Sequence, residues 1–319
     1  VIPEAPARKK PPELADLFLV MEEHLTEIEL EDVRAIVGEL QQPPPLVERL
    51  TRGLDDPEAL RDAILSSPTL SADLLRVVNS AAFALVNPIS SIEHAVNYLG
   101  TTMVKGLVLQ SAVTHVLRFE TDVQKAAYMR LWRSSYIASA TAQAFARHLS
   151  LDDPTVYATR GLLVNVGDLA LISAQPRLST IYAPKTTLLS RVESQQREIM
   201  ANSAVLSSLL AREWKLPEDI YTALRHSLTP LTWSPDDSER SADEQRDDVL
   251  LYLACRVGDA VAYGTLRDPA DFDVMQEESP DLFYLPDYLR RHELGSLPGV
   301  LRAPKQSSRI SRTLNTLNH

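Results

Sequence analysis

Apolar positions along this chain recur mostly at helical spacing. In "ELADLFLVMEEHL" (13–25), Leu14, Leu17, Phe18, Met21 and Leu25 fall near i, i+3, i+4, i+7 and i+11, which predicts one amphipathic helix. "EDVRAIVGEL" (31–40) predicts a second, shorter one. "QQPPP" (41–45) is a strong break, and "PLVERLTRGL" resumes the helical pattern. Asp55 stands three residues before Glu58, with Pro57 between them, the spacing of a capping box with proline in the first turn. Ser90 and Glu93 repeat that spacing, so Ser90 is expected to cap the next helix. From 103 to 117, Val104, Leu107, Val108, Ser111 and Ala112 share one apolar or small face. Asp153-Pro154 and Pro217 each mark a further helix start, and 248–264 is helical again. Alternating Val/Thr/Tyr runs are missing, so a large β-sheet is not expected.

The pattern predicts an all-α protein of a dozen or more helices, packed as one or two lobes. "WSPDDSERSADEQRDD" (233–248) has acidic residues at 236, 237, 239, 243, 244, 247 and 248 and arginines at 240 and 246. It lacks the glycine turn and ligand spacing of a calcium loop and reads as a solvated loop.

Composition narrows the function classes. The chain has 319 residues and a formal net charge of −11, with no long basic stripe, which argues against nucleic acid as the main partner. Cys255 is the one cysteine, so no intrachain disulfide forms, as suits a reducing cytoplasm. "VIPEAPARKKPPE" lacks the apolar core of a signal peptide, and no run approaches the roughly 18 apolar residues of a membrane helix. A soluble, cytoplasmic protein is expected. Common catalytic signatures (a phosphate-binding G-x-x-x-x-G-K-[ST], a G-x-S-x-G elbow, an H-E-x-x-H helix) are not found. The seven histidines show no metal-ligand spacing. "EAL" at 58–60 is a helix start without further ligand motifs around it.

"LLRVVNSAAFALVNPISSIEHAVNYLGTTMVKGLVL" (74–109) is the most specific stretch. Asn79, Ser80 and Phe83, then Pro88 and Ser90, then Gly100 carry a resemblance to the HDOD family, the HD-related output domains of bacterial signalling proteins. "PPPLVERL", "AILSSPTLSADLLR", "LWRSS", "GLLVNVGDLAL" and "EWKLPEDIYTALRHS" follow the same family order, and the resemblance spans about residues 43–265. The same signature residues also suit plain structural roles: Asn79 and Ser80 ending a helix, Asn87-Pro88 turning, Ser90 capping.

The resemblance implies a fold related to metal-dependent HD phosphohydrolases. In those enzymes a His, an adjacent His-Asp pair and a later Asp hold divalent metal, which activates a water for attack on a phosphoester. Here the first His position falls at Ser134, and the pair falls at Val164 and Asn165. A helical His before "EW" falls near Ser203. The paired histidines after "LPEDI" become Arg225 and His226, or His226 and Ser227. The later Asp aligns with Cys255, with Asp259 one turn on. Val164 has no donor atom, and Asn165 offers one neutral oxygen. His226 reads as a hydrogen-bonded or surface histidine, Cys255 as a buried structural cysteine, and Asp168 as a helix cap or solvated acid. Gly161 and Gly167 are expected to allow close helix approach, with Val164 filling the former site.

The expected organisation is a flexible lead with accessory helices (1–42), an HDOD domain (43–265), a helical extension (266–302) and a polar basic tail (303–319). The N-terminal extension is too short to be a receiver domain. Its helices either pack on the core or offer a partner surface. The expected function is a non-catalytic regulatory module without cofactor that binds signalling proteins, in pathways linked to two-component or cyclic-dinucleotide signalling. Two alternatives stand beside it: a metal-free nucleotide or small-ligand sensor built from Ser134, Asn165, Ser203 and Arg225 or His226, and a residual phosphohydrolase.

Overall fold

The computed structural model describes residues 8–38, 57–66, 68–79, 88–101, 103–104, 106–108, 111, 117, 119–274 and 279–303. Among the described residues there are helices and no strands, as the periodicity predicts. In chain order the main helices are α1 (Glu27–Gly38), α2 (Pro57–Leu65), α3 (Pro68–Val78), α4 (Ile92–Leu99), α5 (Asp122–His148), α6 (Pro154–Leu163) and α7 (Val166–Ala174). They continue with α8 (Leu188–Ile199), α9 (Ser203–Glu213), α10 (Glu218–Arg225), α11 (Ala242–Ala262), α12 (Leu285–Arg291) and α13 (Leu297–Arg302).

Two long helices form the frame. α5 starts on a reciprocal cap: Thr121 Oγ1 accepts from Gln124 N at 3.1 Å, and Gln124 Oε1 accepts from Thr121 N at 3.0 Å. α11 starts the same way on Ser241 and Glu244. The two pack along each other, with Ile137 and Phe145 of α5 in one apolar cluster with Leu250, Leu253 and Val257 of α11. The extension after 266 joins that cluster through Phe272, Leu285, Tyr288, Leu289, Leu297 and Leu301. A second cluster joins α7 and α9 to Val33, Ile36 and Val37 of α1. A third gathers α2, α3 and α4 against Tyr136, Ala158 and Leu162. Burying these faces is the main favourable term in forming such a bundle.

The N-terminal stripe does not form one helix. Residues 12–15 make a single turn, 22–24 a short 3₁₀ turn, and the chain between them is irregular. Leu14, Leu19 and Met21 are the buried positions, whereas Phe18 is 62% exposed. The cause is tertiary: Gln196 and Asn202 capture this backbone. Val20 N donates to Gln196 Oε1 at 2.8 Å, and Val20 O accepts from Asn202 Nδ2 at 2.7 Å. Phe18 O accepts from Gln196 Nε2 at 2.8 Å. These bonds replace the helical ladder. Leu14, Leu19 and Met21 enter the central cluster, so this segment packs on the core. Residues 8–10 also have partners: Arg8 stacks over Phe283 and Lys10 lies over Tyr284.

Three boundaries shift. α1 begins at Glu27, because Thr26 and Glu29 cap it four residues before the periodic stretch. α4 is capped by Ser91, whose hydroxyl accepts from His94 N at 3.1 Å, and not by Ser90. α11 starts at Ala242, so Asp243 and Glu244 lie in its first turn, where negative charge meets the positive end of the helix dipole, and Asp248 is buried against Arg240. The break at 41–45, the helix expected over 45–54, Asp55, Ser80, Phe83, Ala112 and the tail from 304 lie outside the described residues. Of the signature residues that are described, Asn79 closes α3 onto the next segment. Its amide donates to Leu75 O at 2.8 Å and Ile89 O at 2.7 Å, and its oxygen accepts from Ile89 N at 2.6 Å. Pro88 and Ser90 are exposed, and Gly100 ends α4 at φ +80°.

Candidate functional site

Ser134 lies on the inner face of α5, opposite α11. Its hydroxyl donates to Asp259 Oδ1 at 2.6 Å. The other carboxylate oxygen pairs with Arg191, brought in by α8, and with Arg256 at 3.1 Å, one turn earlier on α11. Gly258 makes the approach possible, since a Cβ there would lie 2.5 Å from Ser134 O. All four polar residues are buried. Burial pushes the Asp259 carboxyl up, but Arg191 and then Arg256, with the Ser134 hydrogen bond, outweigh it and hold the group below its usual range. The carboxylate that meets Ser134 is therefore Asp259, one turn beyond Cys255.

Asp168 is not a solvated cap. It is buried, and its Oδ1 accepts from Tyr182 Oη at 2.8 Å and from Gln195 Nε2 at 2.8 Å. Gln195 also accepts from Ser203 N at 3.0 Å, so the network reaches the start of α9. Burial raises the pKa of Asp168, with Arg191 opposing. Sequence reading passed over Arg191, Gln195 and Tyr182. The usable signal was chemical: a buried acid on an apolar helix requires donors.

Val164 and Cys255 come together in a separate apolar cluster with Ala138, Leu163, Ala211, Leu224 and Leu251. Burial pushes the Cys255 thiol up to about 12, the opposite of an activated nucleophile. Asn165 sits in the turn between α6 and α7 and points its amide at α5. Nδ2 donates to Leu131 O at 3.2 Å and Ser135 Oγ at 3.1 Å. Behind it, Ser207 Oγ donates to Val164 O at 3.0 Å and accepts from Gly167 N at 2.9 Å. Gly161 and Gly167 are both points of close approach: a Cβ would lie 2.8 Å from the Ala138 carbonyl carbon and 2.4 Å from Ser203 O, respectively.

Arg225 and His226 turn elsewhere. Arg225 pairs with Glu23 of the N-terminal segment, and His226 Nδ1 lies 3.4 Å from Thr229 Oγ1. Burial first, then Arg240 and Arg225, lower the His226 pKa to about 4. The aligned positions thus divide into a polar cluster at Ser134, an apolar plug at Val164 and Cys255, a structural amide at Asn165, a helix start at Ser203, and a peripheral pair at Arg225 and His226.

This donor set does not fit the metal centre that the fold family implies. Asp259 has both oxygens engaged by Ser134 and two arginines, Val164 offers no donor, and Asn165 directs its amide nitrogen to oxygen acceptors. Among the described residues no three His, Cys, Asp or Glu converge as metal ligands would.

The comparisons give the class of this helical bundle. The HDOD domain family matches residues 40–230, and the chain belongs to that family. The chain is 26% identical over 202 residues to a curated Treponema pallidum (strain Nichols) protein named "Uncharacterized protein", covering 60% of this chain and 38% of that protein. The matched part is thus well under half of that relative's length. Among solved structures, an HDOD domain protein of unknown function from Geobacter sulfurreducens is 18% identical at a TM-score of 0.54, over 86% of this chain and 97% of that one. A Shewanella amazonensis SB2B protein named "Putative phosphohydrolase" is 19% identical at 0.60, over 90% and 98%. A Marinobacter aquaeolei VT8 protein named "Putative signal transduction protein" is 18% identical at 0.54, over 91% and 69%. At these identities the structures share the fold. Membership supports a signalling-associated role. No helix among the described residues is long and apolar enough to cross a membrane.

Proposed function

We propose that this chain is a non-catalytic signalling module that acts by binding a protein partner. The observation that carries the reading is the replacement chemistry at the former metal site. The positions where the related phosphohydrolases place His and His-Asp hold Ser134, Val164 and Asn165. The remaining carboxylate, Asp259, is neutralised by Arg191 and Arg256 rather than left free for a cation. A divalent metal brought there would have to displace two guanidinium groups and gain ligands from an apolar plug.

Metal analysis of the purified chain, paired with turnover of cyclic dinucleotides and a simple phosphodiester in added manganese, tests the catalytic half. No stoichiometric metal and no hydrolysis are expected. One or two equivalents of Mn, Fe, Ni or Zn per chain, lost together with activity on chelation, would overturn it. Site-specific photo-crosslinking in the native cell, followed by reconstitution of the captured complex from purified components, tests the partner half. Failure of every captured complex to reassemble would remove it.

A further inference from the structure

A cleft of about 510 Å³ opens between α11 and the chain leading into α8, and two members of the polar cluster described above, Arg256 and Asp259, line it. We propose that this cleft binds a small anionic molecule through a phosphoryl or carboxylate group seated at Arg256 and Lys185. The site is distinct from the sensor surface expected at Ser134, Asn165, Ser203 and Arg225 or His226, none of which lines the cleft. It stands independently of whether the chain binds a protein partner.

The volume lies in the range of small-molecule sites. The walls carry Arg256, Asp259 and Tyr263 from α11, Lys185 and Thr187 from the approach to α8, and Ser279 from the C-terminal extension. The lining itself carries two cations, Arg256 and Lys185, and two carboxylates, Asp259 and Asp281; the positive excess comes from Arg191, which pairs with Asp259 from behind the wall. Asp168 is near enough to act on Arg191, but its Oδ1 is taken by Tyr182 and Gln195 and it does not line the cleft. The other acid of the wall, Asp281, is committed to the start of α8, accepting from Leu188 N at 2.8 Å and Leu189 N at 2.9 Å.

Donors remain unused at that wall. Arg256 is 7% exposed, stacks over Tyr252 and lines the cleft, yet its Nε has no hydrogen-bond partner. Arg191 Nη1, behind Asp259 and outside the cleft lining, is also unpartnered. Native proteins leave few buried donors unsatisfied, and an anion oxygen is the acceptor that a guanidinium takes best. Lys185 adds a second cation. Its backbone N–H donates to Tyr263 O at 3.1 Å, fixing the residue beside α11, while its side chain is exposed.

Isothermal titration of the full chain with inorganic pyrophosphate and, separately, citrate tests the proposal, with a neutral disaccharide as control. Saturable binding of at least one anion, one per chain, is expected, and which anion binds assigns phosphoryl or carboxylate chemistry. Lys185→Glu is expected to weaken binding about tenfold, and Arg256→Met to abolish it. Lys125→Glu, an exposed charge reversal on α5 away from the cleft, is expected to leave it unchanged. No saturable binding by either anion, or equal affinity in Lys185→Glu and the unmodified chain, would overturn the proposal. Lys185 is exposed, so its variant decides the matter even where Arg256→Met does not fold.

Discussion

At the scale of single residues, Asn165 is fixed by the hydrogen bonds of its amide. Its amide donates to Leu131 O and Ser135 Oγ, a role that an ionised Asp cannot fill because it only accepts. Asp there would face a carbonyl oxygen, and His at 164 would enter the apolar plug around Cys255. The double change Val164→His with Asn165→Asp is therefore expected to lower stability by about 2–5 kcal/mol in urea titration, without gaining tight metal binding. An unchanged midpoint would contradict this picture. His226 gives a pH signature. Its folded pKa of about 4 lies below the ordinary value of 6.5, so between those pH values the unfolded chain binds more protons. Its contribution to stability is present above pH 6.5 and is lost as pH falls towards 4. His226→Asn should flatten that part of the stability profile, read as melting midpoints across the window. An equally steep acid limb in the variant would show that other groups cause it. The burial of Val164 and Cys255 among apolar side chains was legible from residue type. Asp168 was not, because its donors lie 14 and 27 residues away on other elements.

At the scale of elements, glycine positions set the spacing of helices. A Cβ on Gly167 would lie 2.4 Å from Ser203 O and 2.6 Å from Ser207 N, both backbone atoms of α9 that cannot swing aside. Gly167→Ala is expected to cost about 3 kcal/mol of stability, measured by chemical denaturation. A loss of only a few tenths would mean that α7 and α9 slide apart freely. Caps read well from sequence where one motif stood alone: Asp153 starts α6 by accepting from Thr155 N at 2.9 Å. They read ambiguously where two serines adjoined, as at 90 and 91. The stretch 13–25 misled because its apolar spacing fits a helix, while Gln196 and Asn202 offer its backbone other partners.

At the scale of the molecule, α5 and α11 share the central cluster, and α6, α7, α10, α12 and α13 each pack onto one or both of them. Exchange protection follows depth and cooperativity. The slowest amides are expected near Ile137–Phe145 of α5 and Leu250–Val257 of α11, with faster exchange in α2, α3 and α4, which form their own smaller cluster. Hydrogen exchange followed by mass spectrometry checks the ranking. Uniform protection across all of these would show one cooperative unit without a dominant frame.

By itself, the sequence determined the all-α class and the family, because those depend on periodicity and residue type in order along the chain. Only the tertiary structure decided what surrounds Ser134 and Asp259. Arg191 comes from a helix 68 residues before Asp259, and Ser134 from one 125 residues before it. Their meeting depends on glycine-permitted contact between α5 and α11 and on the angle at which α8 docks. No local pattern encodes that meeting, since a guanidinium reaches a buried carboxylate only after the apolar faces have packed.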